Sequence, residues 1–164
     1  MQAVRDAVSA DPTKLNASDT RGNTPLHFAV LNNYLPLMDW LKERGVDPNA
    51  RGHYGDTPLH LAISTDRTSG SVVIHRLLSM GANVNATNEY GDTPLHRAAF
   101  HGLTDTVRLL LKNAADINRR ARRGDDRERT ETLPRTVEVV TDLMVQVEAV
   151  FSPEKDPDES QVWM

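Results

Sequence analysis

The 164-residue sequence has no cysteine, which excludes disulfide staples and thiolate chemistry and fits a reducing compartment. No apolar run approaches the ~20 residues needed to cross a bilayer. The start, Met1-Gln2-Ala3-Val4-Arg5-Asp6, lacks the basic and apolar segments of a secretory leader. Neither sign of charge dominates: 26% of residues are charged and the net charge is −4, so no global field draws in nucleic acid or membrane. There is no Gly-rich phosphate loop and no serine elbow. His96 and His101 are five residues apart rather than four and enclose no glutamate, so the metalloprotease arrangement is missing too. These absences predict a soluble intracellular protein, cytoplasmic or nuclear, that is not an enzyme and carries no cofactor or metal.

What is present is repetition. Thr24-Pro25-Leu26-His27-Phe28-Ala29, Thr57-Pro58-Leu59-His60-Leu61-Ala62 and Thr93-Pro94-Leu95-His96-Arg97-Ala98 lie 33 and 36 residues apart, a period that signals stacked supersecondary units. A glycine stands two residues before each threonine (Gly22, Gly55, Gly91), and Gly124 follows 33 residues after Gly91. An asparagine precedes every one of these glycines by six: Asn16, Asn49, Asn85 and Asn118.

The pattern Gly-x-Thr-Pro-Leu-His-x-Ala, followed by an apolar helix and Gly-Ala-x-Val-Asn, resembles the ankyrin repeat over residues 16–118. The resemblance implies an all-α solenoid of antiparallel helix pairs joined by β-hairpin fingers. It also implies a module that binds other proteins and does not catalyse; the chain is expected to work as a monomer. The chain divides into an N-terminal half-repeat cap over 1–17 and full repeats over 18–50, 51–86 and 87–118. A degenerate fourth repeat over 119–151 forms the C-terminal cap, and a polar tail over 152–164 is expected to be disordered.

Local chemistry supports that division. Val4, Ala7 and Val8 have helical spacing, and Asp11-Pro12 closes their helix. Thr24 suits an N-cap, with Pro25 at the first helical position where no amide donor is needed. Buried stripes follow at Leu26, Ala29 and Val30 and at Leu37, Met38 and Leu41. The second repeat supplies Leu59, Ala62 and Ile63, then Val73, Ile74 and Leu77; the third supplies Leu95, Ala98 and Ala99, then Val107, Leu110 and Leu111. Gly45 and Gly81 are the left-handed stops of the second helices. Ala114 takes that place in the third repeat, where either it or Asn113 must adopt the left-handed conformation. Three additional residues in the second repeat fall within Ser64–Gly70, a lengthened loop that is either neutral or an added contact surface. Beyond Asn118 the first-helix pattern is replaced by Asp125-Asp126-Arg127-Glu128-Arg129-Thr130. The spacing of Val140, Leu143, Met144, Val147, Val150 and Phe151 then favours a helix, although the valines there leave a strand open.

Three histidines on equivalent positions lie roughly 10 Å apart, the spacing of packed helices, too far to share one metal ion at ~2.1 Å. Their expected role is to bond backbone near each finger and order the turn. Function therefore falls to the surface. In the family the recognition face combines finger tips with the exposed side of each first helix. By position this places Arg21, His53, Tyr54, Asp56, Glu89, Tyr90 and Asp92 on tips, with Leu31, Phe100 and His101 on helices. Tyr54 and Tyr90 occupy equivalent positions on adjacent fingers; they either form a binding ridge with Phe100 and Leu31 or simply pack on one another. Residues 119–129 hold six arginines against three acids. This cluster reads as a solvated cap, with an import signal, an acidic protein partner or nucleic acid as alternatives; it lacks the aromatics that stack bases. Nucleic acid is therefore the disfavoured partner, and regulation or inhibition of an enzyme is a further alternative.

Overall fold

A computed structural model of the chain describes residues 2–65 and 72–119. Among these, seven α-helices follow one another: α1 (Gln2–Ala10), α2 (Pro25–Leu31), α3 (Leu35–Lys42), α4 (Pro58–Thr65), α5 (Val72–Ser79), α6 (Pro94–Phe100) and α7 (Thr104–Lys112). The residues that would form the lengthened loop's tip, the degenerate fourth repeat and the polar tail lie outside the described residues. No helix among the described residues is long and apolar enough to cross a membrane.

The helix starts follow local chemistry. Thr24 and Thr93 are N-caps with proline at the head of α2 and α6. Short helices of seven to nine residues are marginal alone and take their stability from packing. Accordingly α2 packs on both α3 and α4, α4 on α5 and α6, and α6 on α7. The first helices thus form one row through the stack, with the second helices behind them.

One continuous core runs along the stack. Leu26, Met38, Leu41, Leu59, Ile63, Ile74, Leu77, Leu95, Val107 and Leu110 are fully buried. Leu111, expected in the third stripe, is only half-buried and packs on the core's margin. At the N-terminal end α1 leads into a 3-10 turn, Pro12–Asn16, capped by the Asp11 side chain. Val8 is buried there, Val4 and Leu15 pack against the core, and Arg5 and Arg44 set their guanidinium groups over the Trp40 ring.

The second helices end alike. Gly45, Gly81 and Ala114 all have positive φ, at 74°, 88° and 63°. In each case the next amide turns back to a helix carbonyl: Val46 to Leu41, Ala82 to Leu77 and Ala115 to Leu110. A Cβ at Gly45 or Gly81 would meet nothing within 4 Å, so glycine serves the backbone conformation rather than space. Ala114 adopts that conformation with a Cβ, at a cost on the order of 1 kcal/mol, and Asn113 does not relieve it.

The recurrent asparagines tie one unit to the next. Asn16 Oδ1 accepts from the Asp47 amide at 2.9 Å, Asn49 Oδ1 from Asn83 at 2.7 Å, and Asn85 Oδ1 from Asp116 at 2.7 Å. Asn49 and Asn85 also donate Nδ2 to the carbonyls of Gly81 and Ala114, the left-handed residues of the following unit. Carbonyls left over at a helix end are thereby satisfied by a side chain from the repeat before.

Candidate protein interface on the fingers and first helices

Each finger is a tight turn closed by backbone hydrogen bonds, and none extends into a strand among the described residues. In the first, Asp19 N–H donates to Asn23 O and Gly22 N–H to Asp19 O. The second uses Gly52 with Asp56 and Gly55 with Gly52; the third uses Asn88 with Asp92 and Gly91 with Asn88. Asp19 and Asn88 stiffen their turns by accepting two further amide donors on one side-chain oxygen. This is the Asx arrangement that aspartate and asparagine favour in turns.

Gly52 takes that position in the second finger and has no such oxygen. A Cβ there would come within 2.7 Å of both Asn23 Oδ1 and His27 Nε2. The Asp56 amide turns instead to the His53 carbonyl of the same finger at 3.1 Å, and His53 N–H donates to Asn23 Oδ1 of the neighbouring finger at 3.2 Å. The adjoining tip residue, Tyr54, adopts φ of 56°, a left-handed geometry costing an ordinary side chain about 1–2 kcal/mol.

The histidines link fingers as well as order them. His27 Nδ1 accepts from the Thr24 amide at 3.1 Å, and its Nε2 lies 3.1 Å from the Asp56 carbonyl of the next finger. His60 repeats this with Thr57 at 3.2 Å and Asp92 at 3.0 Å. His96 Nδ1 likewise accepts from the Thr93 amide at 3.2 Å. Because Nδ1 accepts an amide proton while Nε2 meets a carbonyl, the partners assign the neutral Nε2–H tautomer. Burial holds all three imidazoles below the ordinary histidine pKa, against smaller opposing effects from the carbonyls and nearby aspartates. Both nitrogens of His27 and His60 are committed to backbone, so the chemistry of these residues is structural.

The tip residues come together unevenly. The Tyr54 and Tyr90 rings pair at 5.7 Å between centroids, tilted by 43°, and His53 lies against Tyr54 at 3.8 Å. Pairing does not hide them: Tyr54 remains 50% exposed and Tyr90 37%. Glu89 is exposed beside them, its amide donating to the Tyr54 carbonyl at 3.0 Å. Arg21 is exposed on the first finger at the position Tyr54 and Tyr90 hold on theirs.

Asp56 and Asp92 are half-buried. The Asp56 carboxylate accepts from Asn88 Nδ2 and Arg97 Nη2, both at 2.9 Å, and Arg97 Nη1 donates to Ser64 at 2.7 Å. Arg97, on α6, therefore reaches back to the previous repeat and draws Asp56 away from solvent. On the first-helix row Leu31 and Phe100 are exposed, and His101 meets the Phe100 ring edge-on at 5.3 Å. Phe28 joins them, 46% exposed and one helical turn before Leu31. Sequence reasoning missed it, yet it occupies the variable fifth position of the hexapeptide, shared by Leu61 and Arg97.

Comparison with known proteins follows the same division of the chain. A family model described as ankyrin repeats in three copies matches residues 51–121, and one described as ankyrin repeats in many copies matches residues 8–62. NF-kappa-B inhibitor alpha of Sus scrofa is 36% identical over 127 residues, covering 72% of this chain and 38% of that protein. The Homo sapiens protein of the same name is 35% identical over 121 residues, with the same coverage. Serine/threonine-protein kinase VIK of Arabidopsis thaliana is 40% identical over 57 residues, 35% of this chain and 13% of the kinase. The chain thus spans about two fifths of the inhibitors it resembles.

Proposed function

The chain belongs to the ankyrin-repeat family, whose repeats serve protein–protein interaction, and from that premise we propose that it binds a protein partner on its fingers and first helices without catalysing a reaction. The observation that carries the reading is the exposed Tyr54–Tyr90 pair on adjacent fingers, beside a row that also exposes Phe28, Leu31 and Phe100. Aromatic side chains of this kind offer large contact area at small entropic cost and are enriched at interface centres. Packed first helices and cross-linked fingers hold them in place before a partner arrives, which lowers the ordering cost of association.

The partner contacts are Arg21, Leu31, His53, Tyr54, Glu89, Tyr90, Phe100 and His101, with Phe28 added. Asp56 and Asp92 act chiefly as support, since their backbone carbonyls receive the histidine rings. A second reading, inhibition of a partner by covering its surface, draws on the 36% identity to a protein named as an inhibitor. The arginine-rich reading rests on residues 119–129, of which only Arg119 is described; it pairs with Asp116 at 3.7 Å.

Capture of the partner from native lysate, wild type beside Tyr54→Ala/Tyr90→Ala, tests the proposal. The double variant stays folded by circular dichroism and loses the partner, its affinity falling by about 30-fold or more for two anchors of this class. Equal capture by a folded double variant overturns the placement of the face.

A further inference from the structure

We propose that the first-helix row is a two-point apolar seat for a segment of a partner protein. One uncharged apolar side chain of the segment lies against Phe28 and Leu31, and a second against Phe100. The inference rests on the binding face proposed above and adds the chemistry of what that face selects.

Position within the repeat fixes the layout. Phe28, Leu61 and Arg97 each stand four residues after the hexapeptide threonine, and Leu31, Ser64 and Phe100 stand seven after it. Three residues apart on one helix, Phe28 and Leu31 are neighbours on a single face, and each is 46% exposed. Phe100 is 53% exposed at Leu31's position two repeats on, about 20 Å away at the ~10 Å spacing of packed helices. Between these two points the surface is polar. Leu61 is half-buried against the core, and Arg97 Nη1 donates to Ser64 at 2.7 Å.

The polar groups of the row are already engaged. Asn32 Nδ2 donates to the Phe28 carbonyl at 2.8 Å, Ser64 Oγ to the His60 carbonyl at 3.0 Å and Thr65 Oγ1 to the Leu61 carbonyl at 3.0 Å. Arg97 brings a full charge, and Asp56 meets it at 2.9 Å. His101, edge-on to Phe100, keeps a ring with no hydrogen bond among the described residues. A charged partner side chain laid on Phe28, Leu31 or Phe100 would therefore lose water and meet no unpaired counter-charge on the row, which is costly. An apolar side chain gains by the same burial.

The test is selection of phage-displayed random peptides on the full chain, each about 20 residues long and so able to span the row even as a helix. Enriched peptides are then synthesised and their affinity is measured by fluorescence anisotropy. They should be rich in apolar residues and bind equally, within about twofold, from about 50 mM to about 500 mM salt. Phe28→Ser/Leu31→Ser and Phe100→Ser, exposed changes checked by circular dichroism, should each weaken them by about tenfold. Affinity that falls steeply with salt, retention by either folded variant, or failure to enrich any peptide would overturn the proposal. Peptides lost on Tyr54→Ala/Tyr90→Ala but kept by both row variants would leave the binding face standing on the fingers and remove its apolar seat.

Discussion

The second finger and its neighbours reach the same turn by different means. Asp19 and Asn88 each stiffen their own finger with a side-chain oxygen, whereas the second finger, with Gly52 at that position, bonds its Asp56 amide to the His53 carbonyl and its His53 amide to Asn23 of the repeat before it. The outer turns use a side chain where the second uses its own backbone, and both the second and the third also receive the histidine of the repeat before. The second carries the left-handed Tyr54, so the finger without a side-chain brace presents one half of the candidate anchor. A departure from pattern is tolerated there because the His53 carbonyl takes the Asp56 amide. Ala114 departs from pattern as well, with no such substitute.

The largest effect that could break this comparison comes from restoring the missing side chain. By analogy with its neighbours, Gly52→Asp should improve the turn; from the contacts, it should do harm. Its Cβ would strike Asn23 and His27 at 2.7 Å, and relaxation would sacrifice the His27 bond to Asp56. A loss of about 2–4 kcal/mol in urea unfolding is expected, and a stabilised variant would refute the claim that Asn23 and His27 leave no room for a side chain at this position.

Acid should expose the same dependence. The buried histidines have folded pKa values below the ordinary 6.5, so below that pH the unfolded chain binds protons that the folded chain refuses. Their contribution is therefore fully present above about pH 6.5 and is lost as pH falls from there toward the folded values. Each histidine adds at most about 1.4 kcal/mol per pH unit to the slope. Unfolding free energies between pH 5 and 8 should show this fall, and His60→Gln should flatten it.

Removing the turn oxygens sharpens the contrast between the outer fingers. Asn88→Ala should cost about 1–2 kcal/mol, because Asn88 is buried and also holds Asp56. Exposed Asp19→Ala should cost about 0.5–1 kcal/mol. Thermal unfolding of the two variants would rank them, and equal losses would remove the distinction. The smallest effect belongs to the third stop: Ala114→Gly should stabilise by about 0.5–1 kcal/mol in urea, relief of left-handed strain being offset by added chain entropy.

Much of the fold was legible because its signals are local. Thr24 and Thr93 as caps, the stripes from Leu26 to Leu110 and the stops at Gly45 and Gly81 each depend on residues within one helical turn. The histidines could be given their finger-ordering role from burial alone, but not their reach into the next finger. The asparagine recurrence was equally visible and equally mute, since Asn49 finds its partner 34 residues away. In the candidate interface, position alone brought Tyr54 and Tyr90 to adjacent fingers. It could not show Asp56 turned toward Arg97, because that contact spans 41 residues, nor Phe28 exposed beside Leu31.

By itself the sequence determined the repeat period, the helix starts and stops and which face of each helix is buried. All of these follow from backbone sterics, capping and apolar spacing acting over a few residues. Tertiary structure decided how the repeats grip one another and that the Asp56 carboxylate is drawn to Asn88 and Arg97. Those outcomes depend on groups one full repeat apart, whose distance and direction exist only once the helices have stacked.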